Sequence, residues 1–219
     1  MDFEQQRKAF DAIGAGYDAA FSNKQRQKAL SVWLGEALEK GSHVLDAACG
    51  TGLPTAATLS RLGHHVTGVD LSDEMLRLAR ANAPSAQFLS MNMLDTCIAE
   101  HGPFDAITAF FALVMLTRAQ MQDALTLWRR IIKPNGYLVI AMVDGDFDDL
   151  ELPFLGQRVF ASTVPHSRFV EMLKQTGWKV EVFETEGYPR ANLDTPEETH
   201  HYYICSADPG HGASLNRGI

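Results

Sequence analysis

The stretch that decides the fold runs from Val44 to Gly52 and reads Val-Leu-Asp-Ala-Ala-Cys-Gly-Thr-Gly. Its apolar start predicts a buried strand that ends at Asp46, and a helix is predicted from about Leu53. Gly50 and Gly52 indicate a tight turn that leaves no Cβ between the backbone and a ligand. Such turns also occur for structural reasons, with the acid only capping the helix. The position between a strand and a helix favours a ligand site.

On both sides of this turn, short apolar runs alternate with segments of helical periodicity. The apolar runs predict strands at 43–47, 65–70, 86–91, 104–110 and 136–143. The helical periodicity is clearest at 4–13, 24–39, 53–63, 72–82 and 118–132. Strands that alternate with helices predict right-handed crossovers and a parallel sheet covered on both faces.

The last third of the chain departs from this alternation. The Asn-Gly pair at 135–136 is expected to end a helix just before the fifth strand. After 144–166, which has little periodicity, a helix is predicted at 167–176 and strands at 178–186 and 200–207. No helix fits between these two strands, so we expect them to pair antiparallel as a long hairpin.

The composition restricts the kinds of partner. The formal net charge of the 219 residues is −8, with 27 acidic against 19 basic side chains, which disfavours nucleic acid and anionic membrane surfaces. The most apolar run, 106–116, is about half of the ~20 residues that cross a bilayer. Three scattered cysteines and a polar N-terminus indicate a cytoplasmic protein. Adjacent histidines such as His200 and His201 point to opposite faces of a strand, so no metal site is expected.

A second acid, Asp70, closes the second predicted strand, 20 positions after Gly50. A carboxylate there can accept hydrogen bonds from both hydroxyls of a ribose. A nicotinamide dinucleotide site would want a third small residue at Thr55, and Asp46 would repel its pyrophosphate. S-adenosyl-methionine (SAM) carries no phosphate, and its ammonium and sulfonium are cations. The charge argument therefore favours SAM.

Segment 46–52 resembles the first motif of class I SAM-dependent methyltransferases, and 69–72 (Val-Asp-Leu-Ser) resembles their second. Later motifs of the family are similar, in order, to 90–95, 104–107, 127–136 and 174–178. Segment 11–21 looks like the N-terminal lid of small-molecule methyltransferases. The resemblance covers about 10–207. It departs from the pattern at Asn92, which replaces an acid near the adenine, and at Asn135, which replaces a glycine.

The resemblance implies one α/β domain over 1–207. We expect a Rossmann-like, doubly wound, mostly parallel seven-stranded sheet with an antiparallel C-terminal hairpin strand. Segment 1–41 would be a helical lid and 208–219 a flexible tail. The side chains and backbone implied for SAM binding are Tyr17, Asp46, Ala48, Gly50, Gly52, Asp70, Leu71, Met75, Asn92, Met93 and Ala109. Tyr17 could equally be a core tyrosine, and Met75 and Met93 are expected to pack in the core while touching the adenine.

The implied reaction is transfer of a methyl group to an oxygen, nitrogen or carbon of a small-molecule acceptor. Segments 144–167 and 187–200 are expected to cap that acceptor. Substrate contacts are predicted for Phe110, Met115, Arg158, Phe160, Tyr188 and Arg190, and at most one of Phe110 and Phe111 should reach the ligand. A general base is needed only if the acceptor must lose a proton, and His166, ahead of His200, is then the candidate. The alternative is a SAM-binding protein of the same fold that does not methylate, either a cyclase-type enzyme or a regulatory module. The sequence indicates neither the acceptor nor the oligomeric state.

Overall fold

The computed structural model describes residues 2–188 and 197–207. Seven α-helices lie in these ranges: α1 Phe3–Ile13, α2 Gly16–Ala20, α3 Gln25–Ala37, α4 Thr55–Arg61, α5 Asp73–Asn82, α6 Arg118–Ile131 and α7 His166–Gln175. The strands in the same ranges are β1 His43–Ala47, β2 His65–Asp70, β3 Gln87–Ser90, β4 Phe104–Phe110, β5 Ile132–Val143, β6 Leu150–Phe154, β7 Gln157–Ala161, β8 Trp178–Tyr188 and β9 Glu198–Ala207. Two short 3-10 helices cover Thr96–His101 and Leu113–Met115.

Within the described residues, seven strands form one sheet in the order β3-β2-β1-β4-β5-β9-β8. The strands from β3 to β5 are parallel, and β9 runs antiparallel to both β5 and β8. This arrangement confirms the predicted doubly wound sheet and its antiparallel C-terminal hairpin. The strand order reverses between β1 and β4, and in such sheets ligands bind beyond the carboxyl ends of the strands at that point.

Helices cover both faces of the sheet, which explains why its central strands read as continuous apolar runs. On one face Trp128 of α6 packs in a cluster with Ile107 and Leu138. On the other face Leu59 of α4 joins Val44 in a second cluster. Burial on both faces fixes the register of β1 against β2 and β4, and so fixes where the turn after β1 emerges.

The segment 144–166, which showed little periodicity, contains an antiparallel hairpin of β6 and β7. Helix α1 holds this hairpin through the amide group of Gln6. Its Nε2 donates to the carbonyl oxygen of Phe160 over 2.8 Å, and its Oε1 accepts from the Phe160 amide over 2.9 Å. The hairpin is therefore stabilised by a contact more than 150 positions away, which periodicity does not detect.

The expectation that the pair at 135–136 ends a helix is wrong. Helix α6 ends at Ile131, and β5 begins directly at Ile132 with a register shift against β4. Asn135 has a positive φ of 62°, so the chain kinks inside the strand rather than at the helix end.

The described part of the chain contains no helix long and apolar enough to cross a membrane. The predicted tail, 208–219, lies outside the described residues, as do Arg190 and most of segment 187–200.

Candidate active site

The turn after β1 brings two glycines to different surroundings. Gly50 has a φ of 53°, and a Cβ added there would meet no atom within 4 Å, because it would enter the cavity that the turn borders. Gly52 has a φ of 75°, and its Cβ would lie 3.3 Å from the Cα of Ala79 in α5. Gly50 is therefore the glycine that leaves room for a ligand. Gly52, predicted to bind the cofactor, allows close packing of the turn on α5 and does not line the cavity.

Asp70, at the end of β2, is fixed by the backbone of the turn. Its Oδ2 accepts a hydrogen bond of 2.8 Å from the Gly50 amide, and its Oδ1 accepts one of 2.9 Å from the Ser72 amide. Burial raises the pKa of this carboxyl group, and the two amides oppose that shift. Each carboxylate oxygen has a second lone pair for a further donor. Asp70 thus presents a held carboxylate to the cavity.

Asp46 lies beneath the turn rather than on the cavity wall. It is 4% exposed, and its Oδ1 accepts a hydrogen bond of 2.7 Å from the hydroxyl of Thr108 in β4. Burial, together with the negative charge of Asp70, raises the pKa of Asp46 to about 7. Asp46 does not line the cavity, and its direct contact with the cofactor stays a prediction. Ala109, also predicted to contact the cofactor, is fully buried in β4 and packs in the apolar core.

The other predicted cofactor positions line one end of the cavity: Tyr17, Ala48, Leu71, Met75, Asn92 and Met93. The side chain of Asn92 makes a hydrogen bond that the sequence did not predict. Its Oδ1 accepts a hydrogen bond of 2.9 Å from the Leu94 amide, which closes a turn. The oxygen expected to accept from an adenine amine is therefore already used once, within its own loop.

Helices α1 and α2 form a lid that is anchored to the cofactor end. Asp11 of α1 accepts hydrogen bonds from the Ser72 hydroxyl over 2.7 Å and from the Glu74 amide over 3.2 Å. Asp18 of α2 accepts a hydrogen bond of 3.0 Å from the hydroxyl of Thr51 and pairs with Lys24. The lid is thus tied to the same turn that places Gly50.

The cavity below these helices has a volume of about 270 Å³ and is rich in aromatic side chains. Its aromatic lining comprises Phe3, Phe10, Tyr17, Phe21, Phe110, Phe111, Phe147, Phe154, Tyr188 and Tyr202. Phe21 of the lid stacks on Phe154 of β6, with ring centroids 5.7 Å apart. Both Phe110 and Phe111 line the cavity, and the expectation that at most one of them reaches the ligand stays a prediction.

Of the predicted substrate residues, Phe110, Met115 and Tyr188 line the cavity, whereas Arg158 and Phe160 do not. Successive side chains of a strand point to opposite faces, so Val159 and Ala161 of β7 face the cavity and their neighbours face away. Arg158 pairs with Glu151 across the exposed side of the hairpin at 3.0 Å.

The two candidate histidines lie in different surroundings. His166 does not line the cavity: its Nδ1 lies 3.0 Å from the Tyr203 hydroxyl, and its ring centroid is 3.9 Å from that of Phe183. His200 lines the cavity, and its Nε2 lies 3.0 Å from an oxygen of Glu198. Of the two, His200 therefore lies at the cavity and His166 does not, and a role as base stays a prediction for either.

Several residues that line the cavity were not predicted from the sequence, among them Phe10, Phe21, Lys24, Val159, Glu198 and Tyr202. The aromatic side chains of the lid segment were a usable signal for Phe10 and Phe21. Among the residues that the structure describes, no group of three His, Cys, Asp or Glu side chains is placed to hold a metal ion.

The turn after β1 and the strands around it are similar to those of known proteins. Residues 44–136 match the family model of a methyltransferase domain. Over these residues the chain resembles the class I SAM-dependent methyltransferases. An uncharacterized methyltransferase of Synechocystis is 35% identical to it over 108 residues, which cover 49% of each protein. The chain spans about half the length of the curated relatives that it matches at this level of identity.

Two solved structures share the fold of this chain. One is the Burkholderia thailandensis 1,6-didemethyltoxoflavin-N1-methyltransferase with 1,6-didemethyltoxoflavin and S-adenosylhomocysteine bound. Its TM-score is 0.67 at 17% identity, over 94% of this chain and 88% of that one. The other is the cyclase SpnF, with a TM-score of 0.65 at 16% identity over 84% of this chain and 82% of that one. At these identities the likeness is one of fold.

Proposed function

We propose that this protein is an enzyme that binds SAM at the turn after β1 and transfers its methyl group to a small-molecule acceptor. The observation that carries the proposal is Asp70, whose carboxylate is fixed by the Gly50 and Ser72 amides in the wall of a cavity rich in aromatic side chains. The match of residues 44–136 to the model of a methyltransferase domain supports the same function.

The residues at the turn fit SAM by shape and by charge. The open side of Gly50 leaves room for a ligand against the backbone, and the free lone pairs of Asp70 suit ribose hydroxyls. Leu71, Met75 and Met93 supply an apolar surface for a flat base. The carboxyl groups of Asp70 and, below it, Asp46 favour a cation and disfavour a diphosphate.

When bound, SAM supplies an activated methyl group on a sulfonium. The protein has to hold the acceptor in line with that group and to exclude water. The aromatic residues of the cavity would bind a flat, apolar acceptor, and the lid would close the cavity above it. The cavity volume of about 270 Å³ and the net charge of −8 support a small molecule rather than a nucleic acid as acceptor.

The alternative keeps SAM and drops the methyl transfer, and the solved structure of a [4+2]-cyclase with this fold supports considering it. The two functions are separated by incubating the protein with methyl-labelled SAM and a metabolite extract. A methyltransferase gives a labelled product and an equal amount of S-adenosyl-homocysteine, and both require the extract. Binding of SAM without either product would support the non-methylating alternative. Failure to bind SAM would contradict both.

A further inference from the structure

A continuous cluster of aromatic rings lines the cavity beneath α1 and α2. Phe21, directly after α2, packs against Tyr17 with ring centroids 5.1 Å apart and against Phe154 of β6 at 5.7 Å. Its centroid is also 6.4 Å from that of Tyr188 at the end of β8. The faces of aromatic rings attract cations, and Nζ of Lys24 already lies 5.0 Å from the centroid of Tyr17. The cluster is therefore a surface that can bind a positively charged group.

Glu198, the first residue of β9, adds a carboxylate to the wall of the same cavity. One of its oxygens lies 3.0 Å from Nε2 of His200, and the His200 ring stacks on Tyr188 with centroids 4.7 Å apart. An ionised carboxylate only accepts hydrogen bonds, so Nε2 carries the hydrogen. A second hydrogen on Nδ1 would be buried without an acceptor among the described residues, which costs free energy. The ring is therefore neutral and leaves the negative charge of Glu198 uncompensated beside the aromatic cluster.

The basic side chains at the cavity do not oppose a cation there. Among the described residues that line the cavity, the basic ones are Arg7 and Lys24. Arg7 is paired with Glu4 and Asp11. Lys24 is paired with Asp18. Each positive charge is thus balanced by acids of α1 or α2.

The two tyrosines of the cluster lie in the negative potential of Glu198. Burial raises the pKa of the Tyr17 phenol, and the nearby acids, Glu198 among them, contribute to the shift. Burial and then the charge of Glu198 raise the pKa of Tyr188 as well. The carboxylate therefore acts on both rings, and both stay uncharged phenols at neutral pH.

The same geometry disfavours an oxygen acceptor. A hydroxyl group loses its proton in methyl transfer, and a positioned base speeds that step. His166 does not line the cavity, and the nitrogen of His200 that lacks a hydrogen is fully buried. An uncharged amine attacks with its own lone pair and keeps its hydrogens, so it needs no base during the transfer.

Resting on the proposed function, we infer that the acceptor is an amine on a flat, apolar body, and that Glu198 and the aromatic cluster bind its positively charged form. In the transfer, the lone pair of the uncharged amine forms a bond to the methyl carbon, and the electron pair of the carbon–sulfur bond returns to sulfur. An amine that arrives protonated first gives its proton to water. The positive charge moves from sulfur to nitrogen, where the carboxylate and the ring faces stabilise it.

The first test measures binding and needs no turnover. The full chain, saturated with S-adenosyl-homocysteine, is titrated with phenethylamine, which is protonated at neutral pH, and with phenethyl alcohol, which has the same shape without the charge. The amine should bind about 10-fold more tightly or better. Glu198→Gln still accepts from His200 but lacks the charge, so it should lose most of this preference. Equal binding of the two probes, or tighter binding of the alcohol, would overturn the inference.

The matched control is Glu186→Gln. Glu186 pairs with His200 in the register of β8 against β9, but it is exposed and does not line the cavity. Its substitution removes the same charge a short distance away and should keep the preference for the amine. An equal loss of preference in Glu186→Gln and Glu198→Gln would show a general effect of net charge and would overturn the assignment of Glu198.

The second test identifies the atom that is methylated. SAM with a carbon-13 methyl group is incubated with the protein and the metabolite extract, and the chemical shift of the transferred methyl distinguishes N-methyl from O-methyl and C-methyl products. N-methyl products should dominate. Their formation should fall about 10-fold or more in Glu198→Gln and about 5-fold in Phe21→Leu, which keeps an apolar side chain but removes a ring face. Affinity for S-adenosyl-homocysteine should be kept in Glu198→Gln.

The outcomes separate this inference from the proposed function. N-methyl products that decline in Glu198→Gln support both. Products that are only O-methylated or C-methylated, or undiminished N-methylation in a folded Glu198→Gln, would overturn the inference and leave the proposed methyl transfer standing. No transfer by the unaltered protein would refute the proposed function, while the titrations with phenethylamine and phenethyl alcohol would still decide whether the cavity selects a cation.

Discussion

Replacing Asp70 with alanine should weaken both SAM binding and the folded state. The sequence alone suggested an effect on binding only, but the carboxylate also accepts hydrogen bonds from the amides of Gly50 and Ser72. Leaving a buried donor unpaired costs about 1–3 kcal/mol for each amide. Removing a buried carboxyl group whose pKa is raised offsets part of that cost. We expect the free energy of unfolding to fall by about 2 kcal/mol.

The loss of binding follows from the hydrogen bonds that the ribose hydroxyls would make to Asp70. Charge-assisted hydrogen bonds contribute about 1.5–3 kcal/mol, so the dissociation constant for SAM should rise about 10-fold to 150-fold. Calorimetry with SAM and urea denaturation measure the two effects separately. Asp105→Ala is the matched control, since Asp105 accepts from the His43 amide over 2.8 Å and does not line the cavity. Unchanged SAM affinity in a folded Asp70→Ala protein would refute the placement of the ribose.

Three further predictions follow from the turn and the lid. Asp46, with its pKa raised to about 7, binds a proton in the folded state that the unfolded chain releases near pH 4, so stability should fall by about 4 kcal/mol as the pH rises from 4 to 7. Denaturation curves recorded across this pH range should show no such fall in stability for Asp46→Asn. The same pH dependence of stability in Asp46→Asn and in the unaltered protein would contradict the prediction. Gly50→Ala and Gly52→Ala both place alanine at positive φ, at a cost of about 1–2 kcal/mol, but only Gly52→Ala adds a 3.3 Å contact with α5. Gly52→Ala should therefore have the lower free energy of unfolding, and Gly50→Ala should have the lower affinity for SAM. The reverse ranking would contradict the surroundings of the two glycines described above. Asp18→Asn should raise the dissociation constant for SAM about two-fold to five-fold by loosening the lid, as calorimetry would show. The control Glu181→Gln, at an exposed position, should leave this dissociation constant unchanged. Equal dissociation constants for Asp18→Asn, Glu181→Gln and the unaltered protein would argue against an anchoring role of Asp18.

The fold could be predicted largely because its strands are buried on both faces. The runs at 43–47, 65–70 and 104–110 coincide with β1, β2 and β4, since a strand covered by helices on both sides must be apolar throughout. The hairpin of β6 and β7 gave no comparable signal. Its strands are short, one of them contains Pro153, and Gln6 of α1 supplies a large part of its support.

The cofactor end of the site was more predictable than the acceptor end for a related reason. Gly50 and Asp70 lie at strand ends whose positions follow from the strands themselves. The acceptor end depends on which face each side chain takes, and a shift of one position exchanges Arg158 for Val159. The choice between His166 and His200 depends likewise on packing against β8, which periodicity does not reveal.

The central claim is that the turn after β1 binds an adenosyl ligand without phosphates. The most direct measurement is isothermal titration of the full chain with S-adenosyl-homocysteine and, separately, with NAD. We expect saturable binding of S-adenosyl-homocysteine, weakened in Asp70→Ala, and no binding of NAD at the same concentration. Binding of NAD without binding of S-adenosyl-homocysteine would contradict the assignment.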